Sequence, residues 1–217
     1  MKTFKLEAKP RTDLGKKATR ALRAENCIPA VINGGEVVEL PFTGTLEEGQ
    51  KVVELGNGKG LITTDILVTN EAVRKLIYTP EIFAIEISLN GKTRMAVLKD
   101  IQFHPVKDNI LHIDFLEVND KKPVVIEVPV RLAGHAAGVK AGGKLFLSMK
   151  RLKAKGIYTQ IPEQLVINVD NVGLAQTIQV GDLHFDNIEI VNAKNAVVCG
   201  VQLTRGAAAA AAAAAEA

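Results

Sequence analysis

The stretch from Ile82 to His104, "IFAIEISLNGKTRMAVLKDIQFH", limits the fold more than any other. Two runs that alternate apolar and polar residues flank Asn90-Gly91, and Asn-Gly between such runs is the strongest short-range hairpin signal. "HPVKDNILHIDFLEV" continues with a turn and another strand. "TFKLEAK" reads as a strand with one wet face, and "IPAVING" as a short apolar strand ending in the Gly34–Gly35 turn. "TNEAVRKLIYT" has helical character, with Thr69 or Asn70 as its cap. The polar, glycine-containing region from Pro41 to Thr64 reads as a loop or hairpin insertion. These elements predict a mixed first domain, a mainly antiparallel sheet or barrel with two helices.

Polarity, charge and proline coincide at "NDKKP", residues 119–123, where a domain boundary is expected. Beyond it, "VVIEVPVRL", "LVINVD", "TIQVGDL" and "AVVCGVQL" are short strands separated by Gly and Asp. That spacing suggests an all-β domain of sandwich or barrel type. The predicted division is 1–118, 119–206 and a low-complexity tail, 207–217, that includes nine consecutive alanines. A chain of 217 residues accommodates two domains of roughly 100–150 residues each. The tail is at best marginally helical by itself and is assigned no function. The opening "MKTFKLEAKP" places charges where a signal peptide needs apolar residues. No run reaches the roughly 18 apolar residues of a membrane span. Cys27 and Cys199, far apart and each beside apolar neighbours, read as buried free thiols in a reducing cytosol.

Charge is sorted unevenly. Residues 1–30 carry eight Lys/Arg and three Asp/Glu, whereas residues 31–118 carry eight and thirteen. In the segment Arg11–Arg23, "RTDLGKKATRALR", there are five basic residues and one acidic. "KKATRALRAEN" is helical by propensity, with Thr12 or Asp13 as a candidate cap and Asn26 as a stop. At about 100° per residue, Lys16, Lys17, Arg20 and Arg23 share roughly a third of the circumference. Leu14, Ala18, Ala21 and Leu22 cluster opposite, a face suited to docking on a core. A second basic run, Lys140, Lys144, Lys150, Arg151, Lys153 and Lys155, contains no acidic residue. Local basic patches of this kind point to polyanionic partners.

His104, His112 and Asp114 come close together in "QFHPVKDNILHIDF". Two histidines and a carboxylate can bind a metal, and a His–Asp pair can serve acid–base chemistry. No nucleophile has the spacing for a catalytic site, no dinucleotide fingerprint is present, and "GNGKG" lacks the ending of a phosphate loop. Neither an enzyme nor a metal or other cofactor is expected. Strand alternation places His112 and Asp114 on one face, with Leu111, Ile113 and Phe115 opposite. A carboxylate facing nucleic acid is tolerated where it accepts a hydrogen bond from a base amino group or a ribose 2′-hydroxyl. A basic helix beside a His-x-Asp strand is therefore a plausible RNA reader. An aromatic content of 4% argues against base stacking as its main mode.

Three segments taken together resemble a known family. "RTDLGKKATRALRAENCIPAVINGG", "LKDIQFHPVKDNILHIDFLEV" and "VPVRLAGHAAGVKAGG" are similar to bacterial large-subunit ribosomal proteins that bind 5S rRNA, in the long two-domain form of general-stress-protein CTC type. The resemblance runs in order over most of residues 4–203. It implies a mainly β fold with α elements: an N-terminal six-stranded, barrel-like RNA-binding domain with helices, then an all-β C-terminal domain. It also implies a cytoplasmic ribosomal protein docked on 5S rRNA, beside large-subunit RNA and neighbouring ribosomal proteins. The matching contact positions are Arg11, Gly15, Lys16, Thr19, Arg20, Arg23, His112 and Asp114. Asn33 stands where the family usually has Tyr, and supplies a hydrogen-bonding group without a ring.

The predicted function is thus structural, in the ribosome, through a basic loop–helix and a His-x-Asp strand face. Lys140, Lys144, Lys150, Arg151 and Lys153 are candidates for a second RNA contact. The rival reading is a stress-related adaptor whose β domain recruits a protein. No membrane or small-molecule partner is expected.

Overall fold

The computed structural model describes residues 1–42, 44–56, 58–120, 122–185 and 187–204. The alanine tail lies outside the described residues. The chain divides into two compact units, Met1–Lys122 and Pro123–Ala217.

In the first unit, six strands close on one another: β1 (Lys2–Pro10), β2 (Cys27–Asn33), β5 (Lys59–Thr69), β6 (Phe83–Leu89), β7 (Lys92–Phe103) and β8 (Ile110–Glu117). The neighbours run β1-β6-β7-β8-β2-β5, and a β5–β1 pairing shuts the ring. This is the six-stranded barrel that the resemblance implies. The β1–β6 and β2–β8 pairs are parallel, and the other four are antiparallel. Alternation along each strand sends one set of side chains inward. Leu6, Ile32, Ile66, Ile85, Ile87, Ile113 and Phe115 are almost wholly buried there. Helix α2 (Asn70–Ile77) adds Val73 and Leu76 to the same core. Thr69 is its N-cap by position, but makes no side-chain capping hydrogen bond. The Asn90-Gly91 hairpin forms as expected: both residues have positive φ, 49° and 78°, and Leu89 pairs with Lys92.

The Pro41–Thr64 region contains strand β4 (Gln50–Gly56) and the first half of β5, and β4 together with β3 (Val37–Glu39), which precedes the region, flanks that half of β5. The expected hairpin is present, but its second strand runs on through Thr69 as a barrel stave between β2 and β1. The polar end of the region, Thr63 and Thr64, is buried rather than in a loop, as is the Asp65 that follows it. Each has a partner. Lys51 Nζ donates to both Asp65 carboxylate oxygens at 2.9 Å, and Arg94 Nη1 donates to Thr64 Oγ1 at 3.1 Å. The Thr63 hydroxyl reaches the Lys51 carbonyl at 3.4 Å. Gly49 permits this closeness: at φ 82°, a Cβ there would lie 2.8 Å from the Asp65 carbonyl oxygen.

The second unit contains two sheets. One is ordered β12-β9-β11-β14, built from Leu165–Asn168, Val124–Ala133, Arg151–Gly156 and Glu189–Ile190. The other is β10-β15-β13, built from Lys144–Leu147, Val197–Gln202 and Thr177–Gln179. The unit is β-rich as expected, with a one-turn helix, α3 (Ala137–Lys140), and a 3₁₀ turn at Val180–Asp182 as additions. Leu152, Ala154, Leu165, Val198 and Val201 are buried in it. Asp170 accepts the His135 backbone N–H at 2.7 Å, which holds its carboxyl below the usual range, and its own N–H donates to Asn168 Oδ1. Cys199 is buried, and burial raises its thiol pKa; Cys27 is half-exposed rather than buried. Both are free.

Candidate nucleic-acid interface

The basic segment begins where β1 ends. The Arg11 N–H donates to the Asp65 carbonyl at 3.0 Å, so the loop starts from a fixed point on the barrel. Helix α1 follows as Lys16–Ala24, stopped by Asn26 at φ 59°. Its N-cap is Gly15, not Thr12 or Asp13, with φ 110° and ψ 171°, a region open almost only to glycine. No side chain caps the helix. A clasp holds its first turn instead: the Thr19 hydroxyl donates to the Gly15 carbonyl at 2.7 Å. Arg11 Nη2 donates to Thr19 Oγ1 at 2.7 Å, and Arg11 Nε to the Asp13 carbonyl at 3.0 Å. Arg11, Gly15 and Thr19 are therefore brought together, but largely to bind one another.

Lys16, Lys17, Arg20 and Arg23 are all exposed, as the helical spacing predicts. The opposite face departs from expectation. No residue of α1 is buried; Leu14 is 61% exposed, Ala21 is exposed, and Ala18 and Leu22 are only half-buried. Leu14 precedes the helix, so within α1 that face has Ala18, Ala21 and Leu22, and two of the three carry only a methyl, too short to seat the helix in the core. A polar tether does part of that work: Arg23 Nη2 donates to the Leu111 carbonyl at 2.8 Å.

Leu111 sits at an irregularity in β8. Phe103 pairs with Ile110 and Gln102 with His112, so one extra residue stands opposite β7. This bulge is why Ile110 is buried and Leu111 only half-buried, contrary to simple alternation. From His112 onward the alternation is regular. Ile113 and Phe115 point into the core, and His112 and Asp114 lie on the outer face, 25% and 28% exposed. His112 Nδ1 and Asp114 Oδ1 are 3.1 Å apart. With Nδ1–H directed at the carboxylate, the neutral ring keeps Nε2 as an acceptor, and the second Asp114 carboxylate oxygen is an acceptor as well, so the pair is suited to receive hydrogen bonds from amino and hydroxyl groups. Across the strand pairs, Gln102 lies beside His112, and Asp100 and Val31 beside Asp114. Asn33, half-buried, pairs with Leu116 farther along the same outer face. Gln102 and Asp100 were not singled out from the sequence; their register with His112 and Asp114 depends on the bulges in β7–β8. His104 serves a different purpose from its two sequence neighbours. Its Nδ1 accepts the N–H groups of Val106 and Lys107 at 3.2 Å each. Among the described residues no cluster of His, Cys, Asp and Glu could hold a metal ion.

The second basic run is divided between two sheets. Lys140 ends α3 and Lys144 begins β10, while Lys150 precedes β11. Arg151, Lys153 and Lys155 form the exposed row of β11 over buried Leu152 and Ala154. Lys153 pairs with Glu127 at 4.0 Å and Lys155 with Glu189 at 3.5 Å.

Barrel, clasped basic helix and polar strand face together define a mainly β protein whose first unit is a six-stranded barrel with an exposed basic helix. Comparison with known proteins identifies the kind. Residues 6–115 match the Ribosomal L25p family, and residues 123–205 match the ribosomal protein TL5 C-terminal domain. Large ribosomal subunit protein bL25 of Parabacteroides distasonis is 54% identical, over 95% of this chain and 96% of its own length. The bL25 protein of Porphyromonas gingivalis is 51% identical, over 95% and 96%. That of Phocaeicola vulgatus is 45% identical, over 98% of each. The chain belongs to the Ribosomal L25p family, in the two-domain form, and this family is one of ribosomal proteins rather than enzymes.

Proposed function

We propose that the protein is a structural constituent of the large ribosomal subunit in the cytoplasm that binds 5S rRNA through its first unit. Lys16, Lys17, Arg20 and Arg23 neutralise backbone phosphates and set the register. His112 and Asp114, with Gln102 and Asn33 on the same outer face, exchange hydrogen bonds with base edges and ribose hydroxyls in a shallow groove. Arg11, Gly15 and Thr19 hold the helix in place for this contact. The observation that carries the reading is the Arg23 tether: α1 packs on β2, the neighbour of the His112–Asp114 strand, and Arg23 of its cation row hydrogen-bonds the residue preceding His112. On this reading Lys140, Lys144, Lys150 and Arg151 are second-contact candidates, and Lys153 is a weaker one because Glu127 already faces it. Large-subunit RNA and neighbouring ribosomal proteins are the remaining partners.

The test is binding of the full chain to 5S rRNA in the presence of excess transfer RNA, over a series of salt concentrations. The expected result is competition-resistant binding that weakens linearly with the logarithm of salt. Binding abolished by transfer RNA at every salt concentration removes the 5S assignment.

A further inference from the structure

A groove of about 460 Å³ lies between the end of α1 and the turn joining β7 to β8. Arg20 and Arg23 line one side, and His104, Lys107 and Asn109 the other. No carboxylate lines it, although residues 31–118 carry thirteen acidic side chains against eight basic ones. Three cations with amide and imidazole groups, and no anion, make a surface for an oxyanion.

The turn is fixed before anything binds. The His104 N–H donates to the Asn109 carbonyl at 2.8 Å, and the Asp108 N–H to the His104 carbonyl at 2.9 Å. Asp108 takes a positive φ of 53°. His104 Nδ1 accepts two further N–H groups, which leaves the proton of the neutral ring on Nε2 as a donor. The Lys107 backbone is therefore held in position, while its side chain is exposed and makes no ion pair among the described residues. Such preorganisation lowers the ordering cost of contact. The groove is also continuous with the face already described. It shares Arg20 and Arg23 with α1, and Leu111, another of its lining residues, immediately precedes His112.

We propose that this groove seats a backbone phosphodiester of the bound RNA, and that Lys107 is a phosphate contact supplied by the β7–β8 turn. The inference rests on the RNA-binding reading above and extends it to a third element. The strand would cross from the Lys16–Arg20 row, past the end of α1, onto the turn. A small free anion would not need that continuity, whereas a phosphodiester chain uses it.

The experiment measures 5S rRNA binding by the full chain across a salt series, for the native protein, Lys107→Ala, Lys107→Arg and Lys75→Ala. Lys75 is an exposed cation on α2 that does not line the groove. Lys107→Ala is expected to lower the slope of log K against log salt by about one, the contribution of one phosphate contact. Lys107→Arg, which keeps the charge, retains the native slope, and so does Lys75→Ala. An unchanged slope for Lys107→Ala overturns the inference and leaves the RNA-binding reading intact. An equal loss from Lys75→Ala also overturns it, because it reports a general charge effect. Failure of the native chain to bind 5S rRNA over transfer RNA is a separate result, which removes the RNA-binding reading and this inference with it.

Discussion

Arg23 commits one guanidinium nitrogen to the Leu111 carbonyl and is also one of the residues that line the groove across from Lys107. Two roles therefore converge on one side chain, the proposed cation for RNA and a tether for a helix with no fully buried residue. Lys16, about two helix turns from that tether, supplies charge alone. Arg23→Ala is expected to weaken 5S rRNA binding by about 1.5–3 kcal/mol, the range for a charge-assisted hydrogen bond, and Lys16→Ala by less than half of that. Equal losses in a titration of both variants would show that the tether adds nothing. Arg23→Lys should recover only part, since an ammonium lacks the fork that reaches two partners. A different residue governs acid behaviour. Burial raises the pKa of Glu117 above the usual carboxylate range, with Glu36 adding to the rise and Arg94 opposing it. A carboxyl that is a weaker acid folded than unfolded binds more protons in the native state. Its contribution to stability therefore falls as pH rises from the ordinary carboxylate value through the raised one. Glu117→Gln should accordingly gain stability relative to the native protein as pH rises through that window, read from paired denaturant titrations. A constant difference at every pH would contradict the assignment.

At the scale of elements, α1 is the part whose order depends least on the barrel core. Its start needs Gly15 at φ 110° and ψ 171°, and nothing lies within 4 Å of where a Cβ would stand. Gly15→Ala therefore meets no steric clash with neighbours, only backbone strain of about 1–3 kcal/mol. That strain falls on a helix that contributes no buried residue. The expected outcome is faster amide hydrogen exchange across residues 16–24 and weaker RNA binding, with the melting temperature of the barrel nearly unchanged. A large fall in melting temperature would mean that α1 is part of the cooperative core. The helix itself was legible because charge and alanine sort by a period of 3.6; its docking was not, because amphipathicity does not say how far a methyl group reaches. The β6–β7 hairpin was legible from strict alternation around Asn90-Gly91. Strand β5 was half hidden by Thr63, Thr64 and Asp65, whose burial depends on Lys51 and Arg94 from other strands. The site followed the same division. The cation row and the His112–Asp114 face came from local periodicity, whereas the groove joins Arg20 to Lys107 across most of the first unit's sequence and had no local signal.

For the whole molecule, barrel closure was visible only through resemblance, since the parallel pairs β1–β6 and β2–β8 join segments far apart in the chain. Alternation shows that a strand has a buried face but not which strand lies beside it. What the two units share is a design in which each buries its own apolar residues. Ile113 and Phe115 lie in the first, and Leu152 and Leu165 in the second. All the residues proposed to read 5S rRNA belong to the first unit, while the divided basic run belongs to the second. Core substitutions can separate their contributions. Leu152→Ala and Ile113→Ala should each destabilise their own unit by about 2–5 kcal/mol through lost burial and a residual cavity. Ile113 lies between His112 and Asp114 in β8, so its loss disturbs the strand that presents both. Ile113→Ala is expected to weaken 5S rRNA binding along with stability. Leu152→Ala is expected to leave the dissociation constant within about twofold at a temperature where both units remain folded, because it lies under Arg151 and Lys153 rather than under the His-x-Asp face. If Leu152→Ala weakens binding as much as Ile113→Ala does, the β11 face is part of the RNA contact and Arg151 becomes the side chain to change next.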